Sequence, residues 1–261
     1  MEKYRISFIG AGNVAGSLCR QLYLSGCTIN RIVSRTEKKG SSLARSCNAE
    51  WSNDFVFEEK DDIIITAVPD DSLRDVLKKV SCSDRTVVAH TSGSTGIDIF
   101  PPNLKRNGVF YPLQTFTSER NIQFRDLPIF LEASDSMSAS VLNNLGDLLK
   151  GRIFFTDSER RRLLHIAAVF VCNFVNHMFT SGKQITEKAD LPFEVLKPLI
   201  NETVLKALEN GPENSQTGPA YRSDKITLKK HIDLLSFSPE LQVIYKDVTE
   251  SIMKLYKSKS L

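Results

Sequence analysis

Tyr4-Arg5-Ile6-Ser7-Phe8-Ile9-Gly10-Ala11-Gly12-Asn13-Val14-Ala15 is the stretch on which the fold turns. Residues 4–9 alternate and favour β structure, the chain then runs straight into Gly10, and residues 16–25 read as a helix. A strand that passes into a helix through GxGxxA has a specific physical use. Gly10 permits the tight turn, Gly12 lets the backbone approach a pyrophosphate, and Ala15 lets the helix pack on the strand. Asn13 and Val14 belong to the same turn, and the phosphates rest on the helix N-terminus that follows.

Working outward, residues 28–33 form a second strand ending in Ser34-Arg35-Thr36, where an NAD site usually places an acid against the ribose 2′-hydroxyl. No acid stands at this strand end. An arginine flanked by hydroxyls suits a 2′-phosphate, because a guanidinium offers paired, charge-assisted hydrogen bonds to phosphate oxygens. The cofactor expected is therefore NADP(H), with NAD(H) less favoured. The alternative is that Ser34 or Thr36 caps the next helix while Glu37 contacts the ribose.

Residues 61–68 and 85–90 are short continuous apolar runs, as expected of central parallel strands. Ligands in such sheets bind outside the carboxyl ends of the strands, which puts Val68-Pro69-Asp70 and His90-Thr91-Ser92-Gly93-Ser94 on one rim with the glycine loop. Asp70 reads as the N-cap of a following helix. The hydroxyls and N–H groups after His90 suit a carboxylate or the nicotinamide ribose. Strands at 109–111, 127–132 and 152–155 and a helix at 136–150 would complete the first domain.

From Asp157 the hydrophobic period becomes helical. A long apolar helix is expected to about residue 187, followed by helices at 191–210, 224–235 and 239–256, the first of these kinked at Pro198. Residues 211–223 form the one long irregular connection. The expected division is residues 1–156 for the cofactor and 157–261 for a helical substrate and dimerisation domain. So small and apolar a second domain would cover its helix faces in a homodimer.

The apolar helix carries His165, Asn173, Asn176 and His177. At about 1.5 Å rise per residue, His165 and Asn173 stand about 12 Å apart along the axis, so they can touch different parts of one ligand but not each other. Buried structural roles remain open for both, and are preferred for Asn176 and His177.

Composition narrows the function classes. The 34 Lys and Arg against 31 Asp and Glu leave a net charge of only +3, so no broad nucleic-acid or membrane footprint is expected, although Arg160, Arg161 and Arg162 form a local run. The five cysteines form no CxxC pair and no cluster with histidines, so neither disulfides nor a metal are expected and the location expected is cytoplasmic. The longest apolar stretch, residues 166–175, is broken by Asn173, and no membrane span of about 20 residues is expected.

The chain resembles the Rossmann-like proteins with an uncharacterised C-terminal helical domain, within the wider group of 6-phosphogluconate dehydrogenase-like and deazaflavin-dependent NADP oxidoreductase-like proteins. The resemblance rests on GAGNVA at Gly10 to Ala15, ITAVPDDSL at Ile65 to Leu73, HTSGS at His90 to Ser94 and YPLQTF at Tyr111 to Phe116. In the second half it rests on HIAAVFVCNF at His165 to Phe174 and TGPAYRSD at Thr217 to Asp224. It implies an α/β Rossmann dinucleotide-binding domain, an all-helical 6-phosphogluconate dehydrogenase C-terminal-like domain, and a site in the cleft between them. The implied activity is hydride transfer between nicotinamide and a small carbonyl, imine or acid. Hydroxyacid dehydrogenases of the wider group carry Lys and Asn one turn apart on the interdomain helix. If Asn173 is that Asn, Val169 stands at the lysine position, and His165 would take over proton transfer. The family's usual Gly before Asp224 is Ser223.

The site expected thus has His165 and Asn173 as catalytic residues and Ser92, Gly93, Gln114 and Arg222 on the substrate. Gly10, Gly12, Asn13, Val14, Ala15, Ser34, Arg35, Thr36, Val68, Pro69 and His90 would hold the cofactor. A nucleotide-binding sensor or partner-binding module without catalysis is the alternative that the missing lysine supports, since fold does not imply function. A deazaflavin partner in the substrate pocket is a weaker third.

Overall fold

The computed structural model describes residues 4–57, 61–117, 120 and 122–257. It divides into two compact units, Met1–Asn173 and Phe174–Leu261. The boundary expected at 156/157 follows the change from strand to helix, whereas the compact units part at 173/174, so the start of the long helix packs with the first unit.

The first unit is built on an eight-stranded sheet in the order β3-β2-β1-β4-β5-β6-β7-β8. The strands are β1 (Arg5–Ile9), β2 (Thr28–Val33), β3 (Glu50–Ser52), β4 (Ile63–Thr66), β5 (Val87–His90), β6 (Asn107–Pro112), β7 (Pro128–Ala133) and β8 (Arg152–Phe155). All neighbours run parallel except β6 and β7. Every residue of β4 and β5 is buried, which is why these strands are continuous apolar runs rather than alternating ones. Strand order reverses between β1 and β4, where Ile9 pairs with Thr66, and a ligand crevice opens at such a reversal.

The helices of this unit are α1 (Asn13–Leu24), α2 (Glu37–Ser46), α3 (Asp70–Leu77), α4 (Ser136–Leu148) and α5 (Ser158–Ala168). Ile6, Phe8, Leu18, Leu22, Leu43 and Leu142 belong to one apolar layer. Ile9, Val33, Ile64, Leu73, Leu77 and Val88 belong to the other. Successive residues of β1 thus serve opposite faces of the sheet, as a strand requires. Strand β3 lies outside the sequence expectation, being only three residues long and half exposed.

Beyond α5 the chain continues as a π-helical segment, Val169–Phe174, into α6 (Val175–Lys188). The run Ser158–Lys188 reaches a mean hydropathy of 1.5 over its most apolar 18 residues. By length and composition alone it is long and apolar enough to cross a membrane, a test that core helices also pass, so the expectation of no membrane span is not overturned. That expectation counted only the uninterrupted apolar residues.

The second unit contains α6, α7 (Lys197–Asn210), α8 (Pro212–Ser215), α9 (Lys225–Leu234) and α10 (Pro239–Lys257). Pro198 does not kink its helix. It lies in the first turn of α7, where the missing N–H breaks no helical hydrogen bond. Ser223 has φ +56°, the left-handed region that glycine favours, so the serine has not removed the turn. Large apolar side chains of this unit stand exposed, among them Leu199 at 64%, Leu208 at 80% and Ile226 at 73%, so its own helices do not bury them.

Candidate active site

The glycine loop has the geometry its sequence calls for. Gly10 has φ +111°, and a Cβ there would lie 2.1 Å from the Ala67 carbonyl oxygen. Gly12 is the N-cap residue of α1, with no capping side chain and no acid in the first turn. A Cβ at Gly12 would meet nothing within 4 Å, so the space over the helix start is open. Unpaired N–H groups and the positive end of the helix dipole face that space. Ala15 is fully buried, as close strand–helix packing demands, and Val14 is half-buried. The Asn13 amide donates to the Phe116 carbonyl at 3.0 Å, tying the segment after β6 to the loop.

Beside the loop lies a cavity of about 520 Å³, lined among others by Gly10, Gly12, Arg35, Thr36, Lys39, Val68 and Pro69. Ser34 also lines it, but its hydroxyl is committed: it donates to the Thr36 carbonyl and accepts from the Trp51 indole, each at 3.1 Å. Thr36 is the N-cap residue of α2 yet makes no capping hydrogen bond, so its hydroxyl stays available to a ligand. Glu37 is not among the lining residues. Lys39, in the first turn of α2, also lines the cavity and lies outside the set expected from the sequence. A phosphate-sized anion near Arg35, Thr36 and Lys39 would meet two cations and a hydroxyl. The open helix start and this cationic corner together fit a dinucleotide carrying a 2′-phosphate.

A second cluster surrounds the end of β5. His90 is fully buried, stacked on Phe100 with ring centroids 5.4 Å apart, and its Nδ1 accepts from the Ser92 N–H at 3.2 Å. Burial, reinforced by the Arg161 charge, pushes its pKa down to about 4, so it supports the loop as a neutral ring. The Ser92 hydroxyl accepts the N–H groups of Ser94 and Thr95. Ser94 in turn donates to Asp70. This corrects the expected role of Asp70, because the N-cap of α3 is Pro69 and the carboxylate holds the serine loop instead.

The start of α5 grips the same loop. Asp157 caps the helix by accepting from the Arg160 N–H. Arg160 is exposed, but Arg161, one residue on, is wholly buried, pairs with Glu132 of β7 and donates to the Thr95 carbonyl at 2.6 Å. Arg162 donates to the Ser94 carbonyl at 3.1 Å, and the Ser158 hydroxyl accepts from the Ile97 N–H at 3.0 Å.

Farther along α5, His165 Nδ1 stands 3.1 Å from the Tyr111 hydroxyl of β6. A Cβ on Gly93 would lie 2.7 Å from both His165 Nδ1 and Tyr111 Cζ, so the bare glycine makes room for the pair. The structure thus gathers Ser92, Gly93 and His165 and adds Tyr111, which the sequence shows as the end of a strand and the first residue of YPLQTF. Gln114 is exposed and accepts from the Thr115 N–H. Asn173 lies exposed in the π-helical segment, an irregularity frequent at functional sites. Arg222 is exposed in the second unit, where its charge helps hold the Asp224 carboxyl below its ordinary range, behind the hydrogen bonds from Thr227.

Comparison with known proteins shows the family. Residues 5–93 match the model for "NADP oxidoreductase coenzyme F420-dependent", and residues 127–252 match a domain of unknown function, DUF2520. A structure described as a putative NADP oxidoreductase from Bacteroides fragilis is 34% identical, with a TM-score of 0.86, covering 97% of this chain and 98% of that one. A protein from Thermotoga maritima is 21% identical with a TM-score of 0.72, covering 98% of this chain and all of that one, 100%. An imine reductase from Myxococcus stipitatus, in complex with NADP+, is 14% identical with a TM-score of 0.63, covering 97% and 93% of the two chains; at that identity the likeness is one of fold. The comparison with curated proteins gives no match. With one relative more than 30% identical along nearly its whole length and both family models in the expected order, the chain belongs to the NADP oxidoreductase-like Rossmann proteins that carry a DUF2520 C-terminal domain.

Proposed function

We propose that this chain is an NADP(H)-dependent oxidoreductase acting on a small carbonyl, imine or related acid. The observation that carries this reading is the open, uncapped start of α1 beside a cavity lined by Arg35, Thr36 and Lys39. Bound NADP(H) supplies the hydride. The chain's residues do the rest: Gly10, Gly12 and the first N–H groups of α1 hold the pyrophosphate, and Arg35 with Lys39 holds the 2′-phosphate. Ser92, Gly93 and Gln114 bind substrate. His165 holds the hydrogen at the reacting heteroatom and Asn173 orients it.

The test is NADPH oxidation followed against panels of carbonyls, imines and a deazaflavin. Turnover of one class is expected, and His165→Ala should slow it at least about tenfold while leaving NADPH binding in place. Binding with no turnover across the panels would return the sensor reading, which the valine at position 169 favours.

We further propose that the protein works in the cytoplasm as a homodimer assembled through the helical unit. The exposed apolar residues of α7 and α9 support the dimer, and five free cysteines support a reducing compartment. Light scattering at micromolar concentration should give twice the 29.3 kDa chain mass, and a monomer would contradict it.

A further inference from the structure

We infer that Tyr111 is a positioning residue for His165: its phenol donates to Nδ1, which fixes the neutral imidazole as the Nε2–H tautomer and presents that N–H to the substrate. The inference deepens the proposed function and rests on its reading of His165. The rings of Tyr111 and His165 meet edge to face, with centroids 6.1 Å apart and planes at 72°, and the hydroxyl lies 3.1 Å from Nδ1. A neutral imidazole has one donor and one acceptor nitrogen, so a donor on Nδ1 forces the hydrogen onto Nε2.

Tyr111 retains the hydrogen it would donate: burial raises its pKa, the Arg161 charge opposes this and the Asp70 carboxylate adds to it, so the phenol keeps its proton. Arg161 is itself neutralised by Glu132, and Asp70 is held by Ser94. Gly93 completes the arrangement, since any side chain there would overlap Nδ1 and the phenol together. In the reduction, hydride adds to the carbon of C=O or C=N. The charge that develops on the heteroatom is met by the Nε2–H hydrogen bond, and solvent supplies the proton the product finally carries. A fixed neutral donor needs no reorganisation as that charge appears.

The experiment is nitrogen-15 NMR of the imidazoles, made tractable by only four histidines, in the intact protein and in Tyr111→Phe. His165 should show a protonated Nε2 and a hydrogen-bonded Nδ1. In Tyr111→Phe the Nδ1 resonance should move to the position of an unbonded acceptor nitrogen, while NADPH binding stays unchanged. With the panel substrate, kcat should fall about tenfold at nearly constant KM, as for a misplaced catalytic group. Gly93→Ala, which leaves the phenol in the chain but wedges the pair apart, should reproduce the Nδ1 shift. An Nδ1 resonance identical in both variants and the parent overturns the role of Tyr111. A shifted resonance with undiminished turnover in His165→Ala shows instead that the catalytic reading of His165 fails, and the inference with it.

Discussion

Replacing Arg161 by methionine is expected to cost the first unit about 3 kcal/mol, read as a fall in melting temperature of about 6–12 °C. The guanidinium is wholly buried and its partner Glu132 only 15% exposed, so the substitution leaves a carboxylate in a nearly dry site without its counter-charge. The loss exceeds the worth of the pair itself, because bringing both charges out of water has already cost several kcal/mol. The double variant Arg161→Met with Glu132→Leu should therefore regain most of the lost stability. Arg161 also holds the Thr95 carbonyl, so the single variant should loosen the loop that carries Ser92 and Gly93. Thermal unfolding of the three proteins checks the prediction, and a single variant as stable as the parent would refute it.

The second large effect concerns Gly10. In Gly10→Ala the new methyl would stand 2.1 Å from the Ala67 oxygen and 2.9 Å from its carbonyl carbon, both backbone atoms at the end of β4 that cannot swing aside. The φ of +111° adds strain for any L side chain. A destabilisation of at least about 2 kcal/mol is expected. Relief of the clash must part the ends of β1 and β4, the crevice proposed to hold the pyrophosphate, so NADPH affinity should fall more than about tenfold even where the variant folds. Fluorescence titration with NADPH at a temperature where circular dichroism shows native structure separates the two effects. Unchanged affinity would remove the glycine loop from the cofactor site.

Much of the first unit was legible because its signals are local. The β2 strand falls on residues 28–33 as read, β8 on 152–155, and the glycine loop occupies the strand-to-helix turn expected. What escaped depends on partners distant in the chain. Arg160, Arg161 and Arg162 look alike in sequence, yet one is exposed, one wholly buried and one half-exposed, because only Arg161 meets Glu132 and Thr95. Asp70 looked like a helix cap until Ser94, twenty-four residues on, was brought to it. The pairing of Tyr111 with His165 spans fifty-four residues and two elements, so neither motif alone could announce it. Pro198 departs from expectation for the opposite reason: the helix starts later than its apolar pattern, which makes an interior proline a first-turn one.

The cationic corner at Arg35, Thr36 and Lys39 is expected to make this an NADP(H) protein, and paired titrations with NADPH and NADH test that role most directly. A charge-assisted hydrogen bond to the 2′-phosphate is worth about 1.5–3 kcal/mol. NADPH should therefore bind about 10- to 100-fold more tightly than NADH, and Arg35→Ala should erase most of that preference while leaving NADH affinity nearly unchanged. NADH binding as tightly as NADPH, or more tightly, to the intact chain would contradict it.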